Sequence, residues 1–293
     1  MSERLLYDVI VVLPIGPGNA VDFVADTIQS YIHYARFTYK IIIADDSGEQ
    51  MGEKISRIYP QCDIIVNKKP LGGWAGLYIT LSNAYKHAVK NYTFKALLKL
   101  DTDALIIDDA PEQAALDLFA INPLAGIAGQ YPFEYDGTPW NIKWPQQRII
   151  NSTRSWKFFR RPLANLQLIK QYKKAVQNGY RTGESVFGGA YFISSNCLTS
   201  LYKNGLLPNH TFKSLNLGED HIFSLLAKAS GFTLEDLSTN PGPFGCAWKG
   251  LPVSPDRLLH DKKKIIHSVK SWENMDEAAI RSHFKALRIS RAA

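Results

Sequence analysis

Short apolar runs alternate with helical patterns along the first third of the chain. Residues 9–13, 40–44 and 94–100 are apolar runs of strand length. Between them, apolar residues recur every three to four positions over residues 21–35 and again over residues 74–89, which is the spacing of one helix face. Buried strands alternating with amphipathic helices predict an α/β fold with a mixed, mostly parallel sheet flanked by helices.

The second half of the chain has a less regular pattern. Residues 130–161 combine aromatic and basic side chains with three prolines and predict long loops. A helix is predicted over residues 163–178, and a strand containing a glycine pair over residues 185–193. Another amphipathic helix begins at Glu219, and a basic amphipathic helix begins at about residue 276.

Acidic residues follow two of the predicted strands. Asp45 and Asp46 end the second strand, and Asp101 and Asp103 follow the fourth strand with one residue between them. In sheets of this class, ligands bind beyond the carboxyl ends of the strands. Strand residues two apart share a face, so Asp101 and Asp103 are expected to meet one hard cation such as Mg²⁺ or Mn²⁺. Acids that only cap helices and turns remain the alternative for both pairs.

Composition narrows the class of protein further. The net charge of +7 is compatible with an anionic ligand, but no helix-turn-helix, zinc finger or aromatic-basic sheet motif indicates a nucleic-acid partner. The three cysteines, Cys62, Cys197 and Cys246, are scattered and predict neither a disulfide framework nor a zinc site. The early apolar run is too short to span a bilayer, so we expect a cytoplasmic protein.

The serial order of these motifs resembles a known family of enzymes. Pro14 ends the first strand, Asp45-Asp46 the second, Gly72-Gly73 precede a helix, and Asp101-Thr102-Asp103 end a later strand. This order resembles the nucleotide-sugar half of GT-A glycosyltransferases, especially those of family 2. The resemblance implies that Asp45 or Asp46 holds the base and ribose, and that Asp101 and Asp103 hold the metal bound to the donor diphosphate.

The resemblance continues downstream, to about residue 270. The glycine pair Gly188-Gly189 is similar to the family's strand beside the donor sugar, with packing glycines as the alternative. Gly218-Glu219-Asp220 is similar to its late acidic motif, which implies that Asp220 is the general base of an inverting reaction. His267 is implied as the third metal ligand, and Lys270 as a contact of the diphosphate.

The resemblance therefore implies one GT-A-like domain over residues 1–293. Residues 1–107 would form the nucleotide-sugar-binding half, residues 108–275 the acceptor and catalytic half, and residues 276–293 a basic C-terminal helix. The expected donor is a nucleotide diphosphate sugar, with a UDP-sugar favoured, and the expected cofactor is Mn²⁺ or Mg²⁺. The expected acceptor is a saccharide or a lipid-linked saccharide, and the basic tail is compatible with peripheral contact with a membrane surface.

Three other functions stay open on the sequence alone. A haloacid dehalogenase-like phosphatase also uses two acids after a strand, although the usual Gly-Thr does not follow Asp103. A sugar nucleotidylyltransferase would need an arginine in the loop after the first strand, and residues 14–19 contain none. A non-catalytic glycan- or nucleotide-binding module would be expected to lack the metal site or the base.

Overall fold

A seven-stranded sheet lies at the centre of the computed structural model, which describes residues 4–154, 159–239 and 241–292. In chain order the strands are β1 Leu5–Leu6, β2 Val9–Ile15, β3 Tyr39–Asp45, β4 Asp63–Val66, β5 Tyr92–Thr93, β6 Ala96–Leu100, β7 Ala104–Ile106, β8 Ala125–Gly129, β9 Ala190–Ser194, β10 Thr233–Asp236, β11 Phe244–Cys246, β12 Ile265–His267, β13 Ser271–Trp272 and β14 Met275–Asp276. The helices are α1 Val21–Tyr34, α2 Met51–Ile58, α3 Ala75–Asn91, α4 Gln113–Ile121, α5 Lys143–Arg154, α6 Pro162–Gln177, α7 Ser195–Lys203, α8 Glu219–Ala229, α9 Pro255–His260 and α10 Glu277–Ala292.

The central sheet is mostly parallel. Its strand order is β10-β8-β9-β6-β2-β3-β4, and it takes strands from both halves of the chain. Strand β9 runs antiparallel to its neighbours β8 and β6, whereas the other neighbouring strands are parallel pairs. The predicted mixed, mostly parallel sheet flanked by helices is confirmed.

The alternation of side chains along β2 explains why helices cover both faces of the sheet. Ile10 and Val12 point into one core, to which α3 and α8 contribute. Val9, Val11 and Leu13 point into the other core, which α1 and α2 cover. All five side chains are fully buried, so neither face of this strand is left for solvent.

A second, three-stranded sheet has the order β11-β12-β7. Strand β7 follows β6 after a short turn and pairs antiparallel with β12, and His267 lies opposite Ala104 in that register. The pairing therefore places His267 beside the turn that leaves the central sheet at Asp101.

Three segments of the described chain differ from what the sequence pattern indicates. Helix α5 lies within residues 130–161, which were predicted as loops, and Pro145 occupies its first turn, where proline is tolerated. Strand β9 begins at Ala190, because the preceding glycine pair forms a turn. Strand β11 lies within residues 241–255, a segment whose prolines and glycines are typical of a loop. The aromatic and basic residues 155–158 lie outside the described part of the chain.

The C-terminal helix α10 packs against the body of the protein. Ile280 and Phe284 are buried in a third apolar cluster, and Arg281 and Arg288 form ion pairs with Asp26 of α1. Two of the arginines that make this tail basic are therefore turned into the protein. Across the described ranges, no helix combines the length and the apolar character that a membrane span requires.

Candidate active site

Asp101, Asp103 and His267 meet where the parallel strands of the central sheet end. The His267 Nε2 atom lies 3.2 Å from Asp103 Oδ1 and 4.0 Å from Asp101 Oδ2. One ligand atom from each of the three residues lies within 4.8 Å of the others. The expected strand geometry of Asp101 and Asp103 is wrong in its detail, because a turn follows β6 and the Ala104 N–H donates to the Asp101 carbonyl. That turn brings the two acids together.

Each carboxylate uses one oxygen within the protein. Asp101 Oδ1 lies 2.6 Å from the Lys99 Nζ atom, and Asp103 Oδ2 lies 2.9 Å from the Lys270 Nζ atom. The Ser268 hydroxyl also donates to Asp103 Oδ2, at 2.9 Å. The second oxygen of each acid is the one that faces His267, so the two carboxylates are held with one oxygen each toward a common point.

The imidazole of His267 is oriented by a backbone carbonyl. Its Nδ1 atom lies 3.0 Å from the Ala247 oxygen, and because a carbonyl only accepts, this nitrogen carries the proton. In the neutral ring, Nε2 then has a free lone pair directed at Asp101 and Asp103. Two carboxylates and one oriented imidazole are a donor set that fits a divalent cation such as Mn²⁺ and leaves room for further oxygen ligands.

The charges of the two acids are set by different neighbours. Burial raises the pKa of the Asp101 carboxyl, Lys99 offsets only part of this, and the charge of Asp103 adds to the increase. Burial also opposes ionisation of Asp103, but its contacts with the His267 ring, when that ring carries a proton on Nε2 as well, and with Lys270 outweigh burial and hold the pKa of Asp103 well below its usual value. Repulsion between the two acids is therefore present, and a bound dication would relieve it.

Lys99 and Glu219 belong to the site, although neither was predicted from the sequence. Lys99 is fully buried, and its ammonium contacts Asp101, the Gly188 carbonyl and, at 3.6 Å, Glu219 Oε1. Burial alone would lower the pKa of Lys99, but the two acids raise it. The sequence feature that could have revealed Lys99 is its position inside the apolar strand Ala96–Leu100, because a buried lysine requires an acidic partner.

The glycine pair brings His267 and Asp220 to the same short segment. A methyl group on Gly189 would lie 2.5 Å from His267 Nδ1, and one on Gly188 would lie 3.3 Å from Asp220 Oδ2. Asp220 is in the first turn of α8, and its side chain is mostly buried. The glycines therefore make room for two side chains of the chain itself, and their contact with a donor sugar stays a prediction.

Replacing Gly189 with alanine is expected to weaken the binding of Mn²⁺ about tenfold or more, because the new methyl group displaces the His267 ring. Gly188→Ala is the matched control, since its methyl group meets Asp220 at a distance that a small shift relieves. Calorimetric titration with Mn²⁺ measures both variants. Equal Mn²⁺ affinity in the two variants would contradict this account of the glycine pair.

Asp45 stabilises the loop between β3 and α2. Its Oδ1 atom accepts hydrogen bonds from the Ser47 N–H and hydroxyl, and its Oδ2 atom accepts from the Gly52 N–H at 2.7 Å. Pro14 lies in the neighbouring strand β2, one residue before the position paired with Asp45. The carboxylate thus has donors within the chain, and its role in binding a base stays a prediction.

Asp46 holds the loop that leads into α3. Its oxygens accept from the Asn67 side chain at 2.8 Å and from the backbone N–H groups of Leu71 and Gly72 at 2.7 and 2.9 Å. Gly72 has a φ of +79°, a conformation that favours glycine, and Gly72 and Gly73 are exposed. Asp46 therefore determines where this glycine pair stands beside the ends of the strands.

Exposed aromatic side chains lie near His221, the residue that follows Asp220. Trp74, 56% exposed, packs on Trp144 of α5 with ring centroids 5.1 Å apart. The Arg148 guanidinium lies over the Trp144 ring, and that ring is 6.2 Å from His221, whose Nε2 atom lies 4.0 Å from Asp220 Oδ2. His221 thus lies between Asp220 and an exposed surface of indole and guanidinium groups.

Comparisons with known proteins give structural similarity without sequence similarity. No family model and no curated protein sequence matches the chain. The chain is similar in structure to glycosyltransferases. It aligns with the fragment 1–349 of TarS from S. aureus at 13% identity and a TM-score of 0.44, over 80% of this chain and 58% of that fragment. It aligns with mouse xyloside xylosyltransferase 1 at 11% identity and a TM-score of 0.45, over 90% and 97% of the two chains. It aligns with a mannosyltransferase from Pyrobaculum calidifontis, in complex with GDP-Man and Mn²⁺, at 10% identity and a TM-score of 0.46, over 99% and 65%.

Proposed function

We propose that this chain is a divalent-metal-dependent glycosyltransferase that uses a nucleotide diphosphate sugar as donor. The observation that carries the proposal is the convergence of Asp101, Asp103 and His267, with their free donor atoms facing one another at the carboxyl ends of parallel strands. The acid Asp220 lies against the same glycine pair as His267. A cation site next to a partly exposed carboxylate is the arrangement that transfer from a diphosphate donor requires.

The donor is proposed to lie across the ends of β2, β3 and β6. We assign residues 1–107 to the nucleotide-sugar-binding half, residues 108–275 to the acceptor and catalytic half, and residues 276–293 to the C-terminal helix. The donor-binding residues that we propose are Pro14, Asp45, Asp46, Gly72, Gly73, Asp101, Gly188, Gly189 and Lys270. A UDP-sugar is the favoured donor, and Mn²⁺ or Mg²⁺ is the cation proposed for Asp101, Asp103 and His267.

In this mechanism Asp220 is the general base. The Asp220 carboxylate accepts the proton of the acceptor hydroxyl while that oxygen bonds to the anomeric carbon, and the bond from this carbon to the diphosphate oxygen breaks, which inverts the configuration. A divalent cation, when bound, supplies positive charge that stabilises the leaving diphosphate. Lys270 lies beside Asp103 with an exposed side chain, so its ammonium is able to contact the same diphosphate.

The acceptor is proposed to be a saccharide, free or lipid-linked, lying against the Trp74 indole. Aromatic faces stack on the apolar faces of sugar rings, and Trp74 is more than half exposed beside Trp144. Arg148 adds a cation at the same surface, which would hold an anionic group of the acceptor. His221 connects this surface to Asp220, and the proposal is that an acceptor bound there presents its hydroxyl to that acid.

The reaction products distinguish this proposal from its alternatives. The protein is incubated with Mn²⁺ and a panel of UDP- and GDP-sugars, and the products are separated by chromatography. Slow release of the intact nucleoside diphosphate, prevented by EDTA, is expected. Release of sugar 1-phosphate would indicate nucleotidyl transfer, release of inorganic phosphate a phosphatase, and the absence of any product with every donor would favour a non-catalytic module.

A further inference from the structure

The turn that carries the two acidic ligands is held from the C-terminal helix. Arg281 of α10 is 5% exposed, and its Nη2 atom donates to the Thr102 carbonyl at 2.7 Å. Thr102 stands between Asp101 and Asp103, and its carbonyl belongs to the peptide group that joins it to Asp103. A charged donor on this oxygen fixes the plane of that peptide and hence the direction in which Asp103 leaves the backbone.

Two neutral contacts hold the same residue. The Thr27 hydroxyl lies 2.9 Å from the carbonyl oxygens of both Thr102 and Ala104, and the Asn19 side-chain amide donates to the Thr102 hydroxyl at 3.1 Å. Arg281 is the charged member of this group. Three separate elements therefore converge on one residue of the turn, although Thr102 has no ligand atom in the Asp101–Asp103–His267 group.

The guanidinium of Arg281 is itself fixed in place. Its Nη1 atom donates to Asp26 at 3.0 Å and to Thr27 at 3.2 Å. Its Nε and Nη2 atoms donate to Glu277 at 3.0 and 2.8 Å. The group also lies over the Phe23 ring, 4.9 Å from its centroid. With its planar donors engaged in different directions, Arg281 is a rigid support that a lysine does not reproduce.

We infer that Arg281 is a positioning residue for the cation site, because it holds the turn 101–103 in the geometry that directs Asp101 and Asp103 toward His267. This inference rests on the cation site of the proposed function. The inference gives helix α10 a role in the cation site, although α10 is far from residues 101–103 in the sequence. Loss of the contact is expected to lower the affinity for the cation in a protein that remains folded.

The chain offers a matched control in Arg288. It lies on the same helix, is also 5% exposed, and pairs with the other oxygen of Asp26. Among the described residues its hydrogen bonds do not include one to Thr102. Arg281→Gln and Arg288→Gln each remove one buried guanidinium paired with Asp26, but only the first removes the donor on the turn.

The test is calorimetric titration of the full chain with Mn²⁺ alone, together with thermal unfolding in EDTA. Arg281→Gln is expected to lower the Mn²⁺ affinity about 10- to 100-fold, whereas Arg288→Gln should stay within about twofold of the original chain. Both variants should stay folded, with the larger loss of thermal stability in Arg281→Gln, because it also gives up the contacts with Glu277 and Thr27. Arg281→Lys, which keeps the charge, is expected to lie between Arg281→Gln and the original chain, and it carries the test if Arg281→Gln does not fold.

Two results would overturn the inference while leaving the proposed function intact. One is an Arg281 variant that binds Mn²⁺ as tightly as the original chain. The other is an equal loss of Mn²⁺ affinity in the Arg281 and Arg288 variants, which would show a general effect of loosening α10. If the original chain itself bound no Mn²⁺, the cation site of the proposed function would fail, and the inference with it.

Discussion

Asp103→Asn is expected to abolish metal-dependent nucleotide binding, with a loss of Mn²⁺ affinity of more than about 100-fold. The substitution keeps the size of the side chain but removes the charge that faces His267, and Asp103 Oδ1 is the carboxylate oxygen nearest to the His267 Nε2 atom. The weakened contact with Lys270 adds to the effect. Mn²⁺ affinity is measured by calorimetry, and nucleotide binding is measured in the presence of Mn²⁺.

Asp109→Asn is the control for that experiment. Asp109 is an exposed acid a few residues further along the chain, and it forms a surface ion pair with Arg36. Its replacement should leave Mn²⁺ affinity within about twofold, because a surface pair contributes little. If Asp103→Asn bound Mn²⁺ as tightly as the Asp109 variant did, Asp103 would have no place among the ligands.

Asp220→Asn is expected to lower the turnover number about 10²- to 10⁴-fold and to leave donor affinity within about twofold. The change removes the proton acceptor, while the cation ligands and the loops at the strand ends are untouched. Single-turnover transfer, compared with donor titration, separates the chemical step from binding. Normal turnover in this variant would exclude Asp220 as the base and favour a route that retains the anomeric configuration.

Asp22→Asn is the matched control for Asp220. Both acids stand in the first turn of a helix, where a negative charge interacts favourably with the helix dipole. The Asp22 variant therefore reports the loss of that interaction alone. It is expected to leave turnover unchanged, and a loss equal to that of Asp220→Asn would indicate an effect of protein stability.

The sheet and the acids at its edge were predictable because they follow from local patterns. Unbroken apolar runs such as residues 9–13 indicate strands that are buried on both faces, and in the structure residues 9–13 are fully buried. Asp101 and Asp103 were predictable as site residues because two acids directly after a buried strand are costly to bury unless a partner or a cation compensates their charge. His267 was predicted only through the family resemblance, since a single histidine 164 residues after Asp103 has no local signature.

The remaining parts of the site depend on tertiary contacts that no local pattern contains. Lys99 interacts with Glu219 across 120 positions of sequence, and Arg281 reaches Thr102 from the other end of the chain. The side chains for which Gly188 and Gly189 make room could not be named from the sequence, because both come from other elements. The basic pattern of α10 indicated an exposed surface, whereas ion pairs with Asp26 bury two of its arginines.

The most direct test of the account is calorimetric titration of UDP, with GDP in parallel, in the presence and absence of Mn²⁺. The central claim is that Asp101, Asp103 and His267 hold a cation against the diphosphate of a nucleoside diphosphate. It predicts binding at micromolar concentration with one of the two nucleotides in the presence of Mn²⁺, and loss of that binding when EDTA is added. Failure of both nucleotides to bind with Mn²⁺ present, or binding that EDTA does not change, would contradict it.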